Sequence, residues 1–109
     1  MDQRTIINEE ILNIVRRYIA ELGKNNIPIK TAFLFGSYAN GKYEEWSDID
    51  IALVSDKFEG DRFYDRRKIA DVTLSLDVRI EPHTYRVEDF NEDEDLFVRE
   101  ILRTGIKIV

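Results

Sequence analysis

The sequence predicts an α/β (α+β) domain, a mixed β-sheet of three to four strands packed by about four helices. Three observations lead there. The first is the order of patterned segments, α-β-β-α-β-α-β, along 109 residues. The second is the ten-residue connection between Ser37 and Asp48, shorter than a parallel crossover needs, so the first two strands run antiparallel if they are neighbours. The third is the stretch of some 22 residues with a helical pattern between Val54 and Asp77, long enough for a parallel crossover.

The elements follow from periodicity. Ile7, Ile11, Ile14, Val15, Tyr18, Ile19 and Leu22 recur at helical spacing and predict a packing helix, with Asp2 or Thr5 as its cap and Gly23 past its end. Ile29 to Phe35 is extended, aromatic and β-branched, and stops at Gly36-Ser37. Tyr38 to Lys42 fits one helical turn and a loop. The second strand, Asp48 to Val54, places Asp48, Asp50, Ala52 and Val54 on one face and Ile49, Ile51 and Leu53 on the other. A weaker stripe predicts a helix from Arg62 to Leu74, whose Arg66-Arg67-Lys68 triplet reads as a solvated face. Leu76 to Ile80 reads as a third strand ended by Pro82, and Thr84 to Phe90 as a short helical turn. The acidic run Glu92 to Asp95 complements the start of a helix holding Leu96, Phe97, Ile101 and Leu102, which Gly105 caps before a final short strand, Ile106 to Val109.

One domain spanning residues 1–109 is expected at this length. With 43% hydrophobic and 35% charged residues the chain reads as globular and water-soluble. It lacks cysteine, which excludes disulfides and thiolate metal sites and is compatible with a cytoplasmic location. No apolar run is long enough for a membrane span, and Met1 to Arg4 does not begin a secretory signal. A net charge of −6 opposes direct binding to nucleic acid phosphates.

The chemistry concentrates in Phe33 to Val54. Two carboxylates at i and i+2 of a strand stand about 6.5–7 Å apart on one face, within reach of shared metal ions. An all-oxygen set favours Mg²⁺ or Mn²⁺ over zinc. An EF-hand reading of Asp48-x-Asp50 fails, because Ala52 and Leu53 fall where a ligand and the glycine belong. Asp77, near the start of a strand parallel to the second, would add a third carboxylate to the same face. Two divalent ions held by such a set form the clamp for in-line displacement at phosphorus. Gly36 lets the backbone approach a phosphate, and Ser37 adds a hydroxyl and an amide at a helix start. Together these imply a nucleoside triphosphate bound as its metal complex.

These residues resemble the polymerase-beta-like nucleotidyltransferase superfamily, whose signature is Gly-Ser, a short spacer, Asp-x-Asp and a later third acidic residue. Size and extent resemble its minimal nucleotidyltransferase (MNT) domains. The resemblance implies the nucleotidyltransferase fold, and that Asp48 and Asp50 bridge two Mg²⁺ ions. It implies that Asp77 holds the ion activating the acceptor hydroxyl, and that Gly36 and Ser37 hold the β- and γ-phosphates of ATP. A hydroxyl would attack the α-phosphate and release pyrophosphate. Many MNT sequences carry arginine where this chain has Asn40, and Lys42 is the candidate substitute. Arg79 either pairs with a carboxylate or contacts phosphate. MNT proteins resemble the antitoxins of HEPN/MNT modules, which implies AMP transfer to a tyrosine of a HEPN ribonuclease toxin. A binding-only antitoxin, and transfer to tRNA or a small molecule, are the alternatives. His83 reads as a surface or structural histidine, and a general-base role is redundant beside Asp77 and metal. Trp46 either stacks on an adenine or, as large aromatics more often do, packs against the loop or a partner.

Overall fold

The structure, a computed structural model, describes residues 8–109. The expected caps Asp2 and Thr5, and Ile7, lie outside those residues. Asn8 caps helix α1 (Glu9–Lys24) instead, its Oδ1 accepting the N–H groups of Glu10 and Ile11 at 2.9 and 3.2 Å. Ile11, Val15, Tyr18 and Leu22 form the buried stripe of α1, each buried side chain contributing about 1.5–3 kcal/mol. Gly23 is inside the helix and not past its end. Asn25 is the C-cap, and Asn26 takes the positive φ (67°) that turns the chain out.

The chain then lays down β1 (Thr31–Phe35), the single turn α2 (Ser37–Asn40) and β2 (Ile49–Val54). It continues through α3 (Arg62–Lys68), α4 (Ala70–Leu76), β3 (Ile80–Tyr85), a 3₁₀ turn at Val87–Asp89, α5 (Leu96–Thr104) and β4 (Ile106–Lys107). The sheet is mixed, in the order β3-β2-β1-β4. β1 runs antiparallel to β2 and β4, while β2 and β3 are parallel. The fold class and both strand directions are therefore those the connection lengths predict.

Alternation divides the sheet into two faces. Leu34, Ile49, Ile51, Leu53 and Ile80 pack under α1 and α4 in the larger core. Phe33, Phe35, Ala52, Val54 and Tyr85 face the other way, against Val98 and Ile101 of α5. A hydrogen bond of 2.6 Å between the Tyr18 hydroxyl and Thr73 ties α1 to α4, and burial pushes the Tyr18 hydroxyl up to about 12, so it stays neutral.

Three expected elements differ. The helix predicted over Arg62 to Leu74 is two helices, broken at Ile69, which is buried in the core. The buried Asp65 carboxylate accepts the N–H groups of Glu59 and Gly60, fixing where α3 begins. The third strand is Ile80–Tyr85 and not Leu76–Ile80: Leu76 ends α4, and Pro82 sits inside the strand. The cause is local. Asp77 Oδ1 accepts the Arg79 N–H at 2.9 Å, and the Ile80 N–H bonds the Asp77 carbonyl, so the segment makes an Asx-type turn before any ladder can form. Pro82 is tolerated because β3 is an edge strand. The Arg79 and Tyr85 carbonyls accept from Ile49 and Ser55 of the β2 side, so alternate residues bond inward and Pro82 faces away. The helical turn expected over Thr84 to Phe90 shrinks to Val87–Asp89 for the same reason, since β3 takes Thr84 and Tyr85.

Candidate active site

The β1–α2 turn and the start of β2 meet at one end of the α5 face. Phe35 pairs with Asp50 across the β1–β2 ladder, which sets Gly36 directly against the Asp50 side chain. Gly36 adopts φ 74°, ψ −149°, a region essentially reserved for glycine. A Cβ there would overlap Asp50 Oδ2 and stand 3.3 Å from its carboxyl carbon. Glycine is required here both for the turn and for the carboxylate. Ser37 opens α2, whose first amides have no acceptor within the helix. A cleft of about 320 Å³ between Gly36, Asn40 and α5 opens beside this turn, lined also by Phe97 and Thr104.

Asp48 is exposed just ahead of β2, and Asp50 is half-buried two residues on, the i, i+2 placement the sequence predicts. Across the parallel ladder, the partner of Asp50 is Glu81. In-register neighbours share a face, so Glu81 stands about 5 Å from Asp50 at the backbone and on the same side. Its carboxylate accepts from Arg66 Nη2 at 2.6 Å. His83, next on that face, packs edge-on against Phe35 at 4.9 Å and lies 6.0 Å from Phe97. Its Nε2 is enclosed without a hydrogen-bond partner and lies 3.5 Å from Asp50 Oδ1.

The expected placement of Asp77 on a strand is the main correction. Asp77 is the C-cap of α4, off the sheet, and its carboxylate is taken up by Arg79 through Nε (3.0 Å) and Nη2 (2.9 Å). Of its two open readings, Arg79 realises the carboxylate pair. Its guanidinium also lies 5.7 Å from the Trp46 ring centre. Asp77, Arg79 and Trp46 line a separate cavity of about 620 Å³ with Tyr38 and Tyr43, one that includes neither Gly36 nor Asp50. Trp46 is 73% exposed, so the ring is not buried in its loop. Lys42 lies exposed beyond α2, its N–H donating to Asn40 Oδ1 at 2.9 Å.

The Arg79 hydrogen bonds hold the Asp77 carboxyl below the usual carboxylate range, against an opposing push from burial. A depressed folded value means that the pair stabilises the fold above the unfolded carboxyl value of about 3.9, and that this contribution is lost as pH falls through the folded value. Wild type is accordingly expected to lose more stability than Asp77→Asn between neutral pH and about pH 3. Urea midpoints at the two pH values check it.

Among the described residues, no three His, Asp or Glu side chains are gathered as ready metal ligands. The donor types nonetheless suit a hard divalent cation: the β2–β3 register sets the carboxylates of Asp50 and Glu81 on one face, and Asp48 precedes β2 two residues before Asp50. Glu81 is engaged by Arg66, and Asp50 lies beside His83.

Residues 17–109 match the family model for the polymerase beta nucleotidyltransferase domain. The chain belongs to this family. Among named relatives of this nucleotidyltransferase, a candidate protein adenylyltransferase of Methanocaldococcus jannaschii, MJ1215, is 50% identical over 44 residues. That match takes in 40% of this chain and half the length of the relative. The fold is shared with a candidate nucleotidyltransferase from Sulfolobus solfataricus (TM-score 0.64, 17% identity, 90% of this chain and 78% of that one). It is shared too with a toxin–antitoxin crystallised with AMP-PNP (TM-score 0.61, 20% identity, 90% and 72%). A mutant form of the MntA–HpeT toxin–antitoxin is similar as well (TM-score 0.59, 18% identity, 90% and 72%).

Within this domain, the structure brings Gly36 and Asp50 into contact, with Ser37 and Asp48 next to them in the chain, while the Asp77 and Arg79 side chains line the other cavity and the Lys42 N–H bonds the Ser37 carbonyl at 3.1 Å. Glu81 is the residue the sequence reading misses at this site, and His83, read there as a surface or structural histidine, stands beside Asp50. The signal for both was the alternation Glu81-x-His83-x-Tyr85, running through a proline that an edge strand accepts.

Proposed function

We propose that this chain transfers AMP from ATP to a hydroxyl, with Mg²⁺, and that the acceptor is a tyrosine of a HEPN-type toxin for which the chain is the antitoxin. The observation that carries the reading is the packing of the Asp50 carboxylate against Gly36, with Glu81 in register beside it. The M. jannaschii relative, by its name, and the fold shared with toxin–antitoxin pairs support the acceptor class and the antitoxin role.

Each residue has a task. Gly36 lets the backbone approach the triphosphate, and the Ser37 amide and hydroxyl bind its β- and γ-oxygens. Asp48, Asp50 and Glu81 would hold Mg²⁺, with Mn²⁺ a possible replacement, and the ions supply charge neutralisation at the phosphates. Glu81 orients the tyrosine hydroxyl and accepts its proton as the oxygen attacks the α-phosphorus. One O–P bond forms, the α–β bridging O–P bond breaks, and pyrophosphate leaves. His83 limits the rotation of Asp50 from the buried side. The chain is proposed to work in the cytoplasm, in keeping with its lack of cysteine. Among the described residues no helix is long and apolar enough to cross a membrane.

The test is label transfer from α-labelled ATP to the co-purified toxin. Labelled toxin is expected with Mg²⁺ present and none after EDTA. Labelling that survives EDTA, or toxin neutralised without any label, sinks the proposal.

A further inference from the structure

The Arg66-Arg67-Lys68 triplet is exposed, as the sequence predicts. Arg62, Arg66 and Arg67 line a groove of about 700 Å³ between α3, α4 and the free edge of β3. Three arginines against a single glutamate is an unusual local balance in a chain of net charge −6. Arg67 stacks over the Phe63 ring at 5.8 Å, yet among the described residues neither it nor Arg62 pairs with a carboxylate. The apolar walls are unpartnered: Phe63 is 73%, Leu74 67% and Val78 76% exposed. Side chains that large and that exposed on one groove mark an interaction surface. Its one carboxylate is Glu81, in register with Asp50.

We propose that this groove docks the acceptor, a protein segment carrying acidic and apolar side chains next to the hydroxyl that receives AMP. Charge complementarity selects the acidic partner. The aliphatic Leu74 and Val78 select a protein over a single-stranded nucleic acid, which would use a run of aromatic platforms. Docking also acts on the site. An acidic side chain of the acceptor competes for Arg66, and Glu81, released from its 2.6 Å bond, turns towards Asp50. Arg66 is thus a positioning residue that leaves Glu81 unavailable until an acceptor is present. The docking role rests on the AMP-transfer reading of the Asp50–Glu81 site.

The probe is a fluorescein-labelled peptide in which glutamate and leucine alternate around one tyrosine, followed by anisotropy with the full chain. A lysine counterpart and a single-stranded RNA of equal length are the controls. The glutamate peptide is expected to bind, to weaken with salt, and to lose at least tenfold in affinity in Arg62→Glu/Arg67→Glu, while the lysine peptide does not bind. AMP-PNP affinity, measured in parallel, is expected to stay unchanged in that variant, which shows the fold and nucleotide site intact. Absent peptide binding, equal binding by the variant, or preference for the RNA overturns the docking proposal. Absent AMP-PNP binding by wild type instead counts against the AMP-transfer reading, so the two failures are distinguishable.

Discussion

Glu81→Gln is expected to lower AMP transfer by about a thousandfold, several kcal/mol of transition-state stabilisation, whereas Asp77→Asn stays within about threefold of wild type. The difference follows from where the two carboxylates stand. Glu81 is the ladder partner of Asp50, on the same face of the sheet, and a neutral amide there can neither hold a divalent ion nor take the acceptor proton. Asp77 caps α4 and is occupied by Arg79, so its loss loosens a turn without removing a ligand. The measurement is initial rate of label transfer to the toxin, with melting curves for both variants. Glu81→Gln also breaks the Arg66 pair, an exposed contact worth at most about 1 kcal/mol, so its melting point is expected to move little while its rate collapses. The reverse ranking, with Asp77→Asn inactive and Glu81→Gln active, would return the third carboxylate to Asp77.

That ranking depends on a feature only partly legible in the sequence. Connection lengths give both strand directions, and the alternation of Asp48 to Val54 gives the face on which the site lies. The third strand is where legibility ends. Leu76, Val78 and Ile80 alternate as a strand should, but the Asp77 side chain captures the Arg79 amide and holds the segment in a turn. The observed strand begins where the expected one ends and keeps its phase, so Asp77, Arg79 and Glu81 all fall on odd positions. The acidic residue that falls on the Asp50 face of the strand is therefore Glu81, four positions after Asp77. Pro82 deepens the error, since it reads as a terminator until the sheet order makes β3 an edge. The break at Ile69 is illegible for a related reason: it coincides with burial of Ile69 against other elements and not with a helix-breaking residue. Asn8, by contrast, is a legible cap passed over in favour of residues a few positions earlier.

Gly36→Ala is expected to be nearly as damaging to transfer as loss of a carboxylate, by about a hundredfold or more, through geometry alone. At φ 74°, ψ −149° an alanine costs about 1–3 kcal/mol in backbone strain, and melting should fall by about 4–8 °C per kcal/mol for a chain of this size. Strain is only half of the effect. The new methyl group overlaps Asp50 Oδ2, so relief comes by rotating Asp50 away from the phosphate turn or by lifting the turn off β2. Either movement separates the phosphate-binding backbone from the metal-binding carboxylate. A double-mutant cycle isolates this term. If overlap with Asp50 contributes, Gly36→Ala destabilises less in an Asp50→Ala background than in wild type, because the overlapped carboxylate is gone. Transfer would not recover, since the same truncation removes the ligand. Equal destabilisation in both backgrounds would mean that strain at Gly36 accounts for the whole effect and that its contact with Asp50 carries none of it. Partial rescue of stability without rescue of rate would instead establish the Gly36–Asp50 contact as the joint between the phosphate and metal halves of the site.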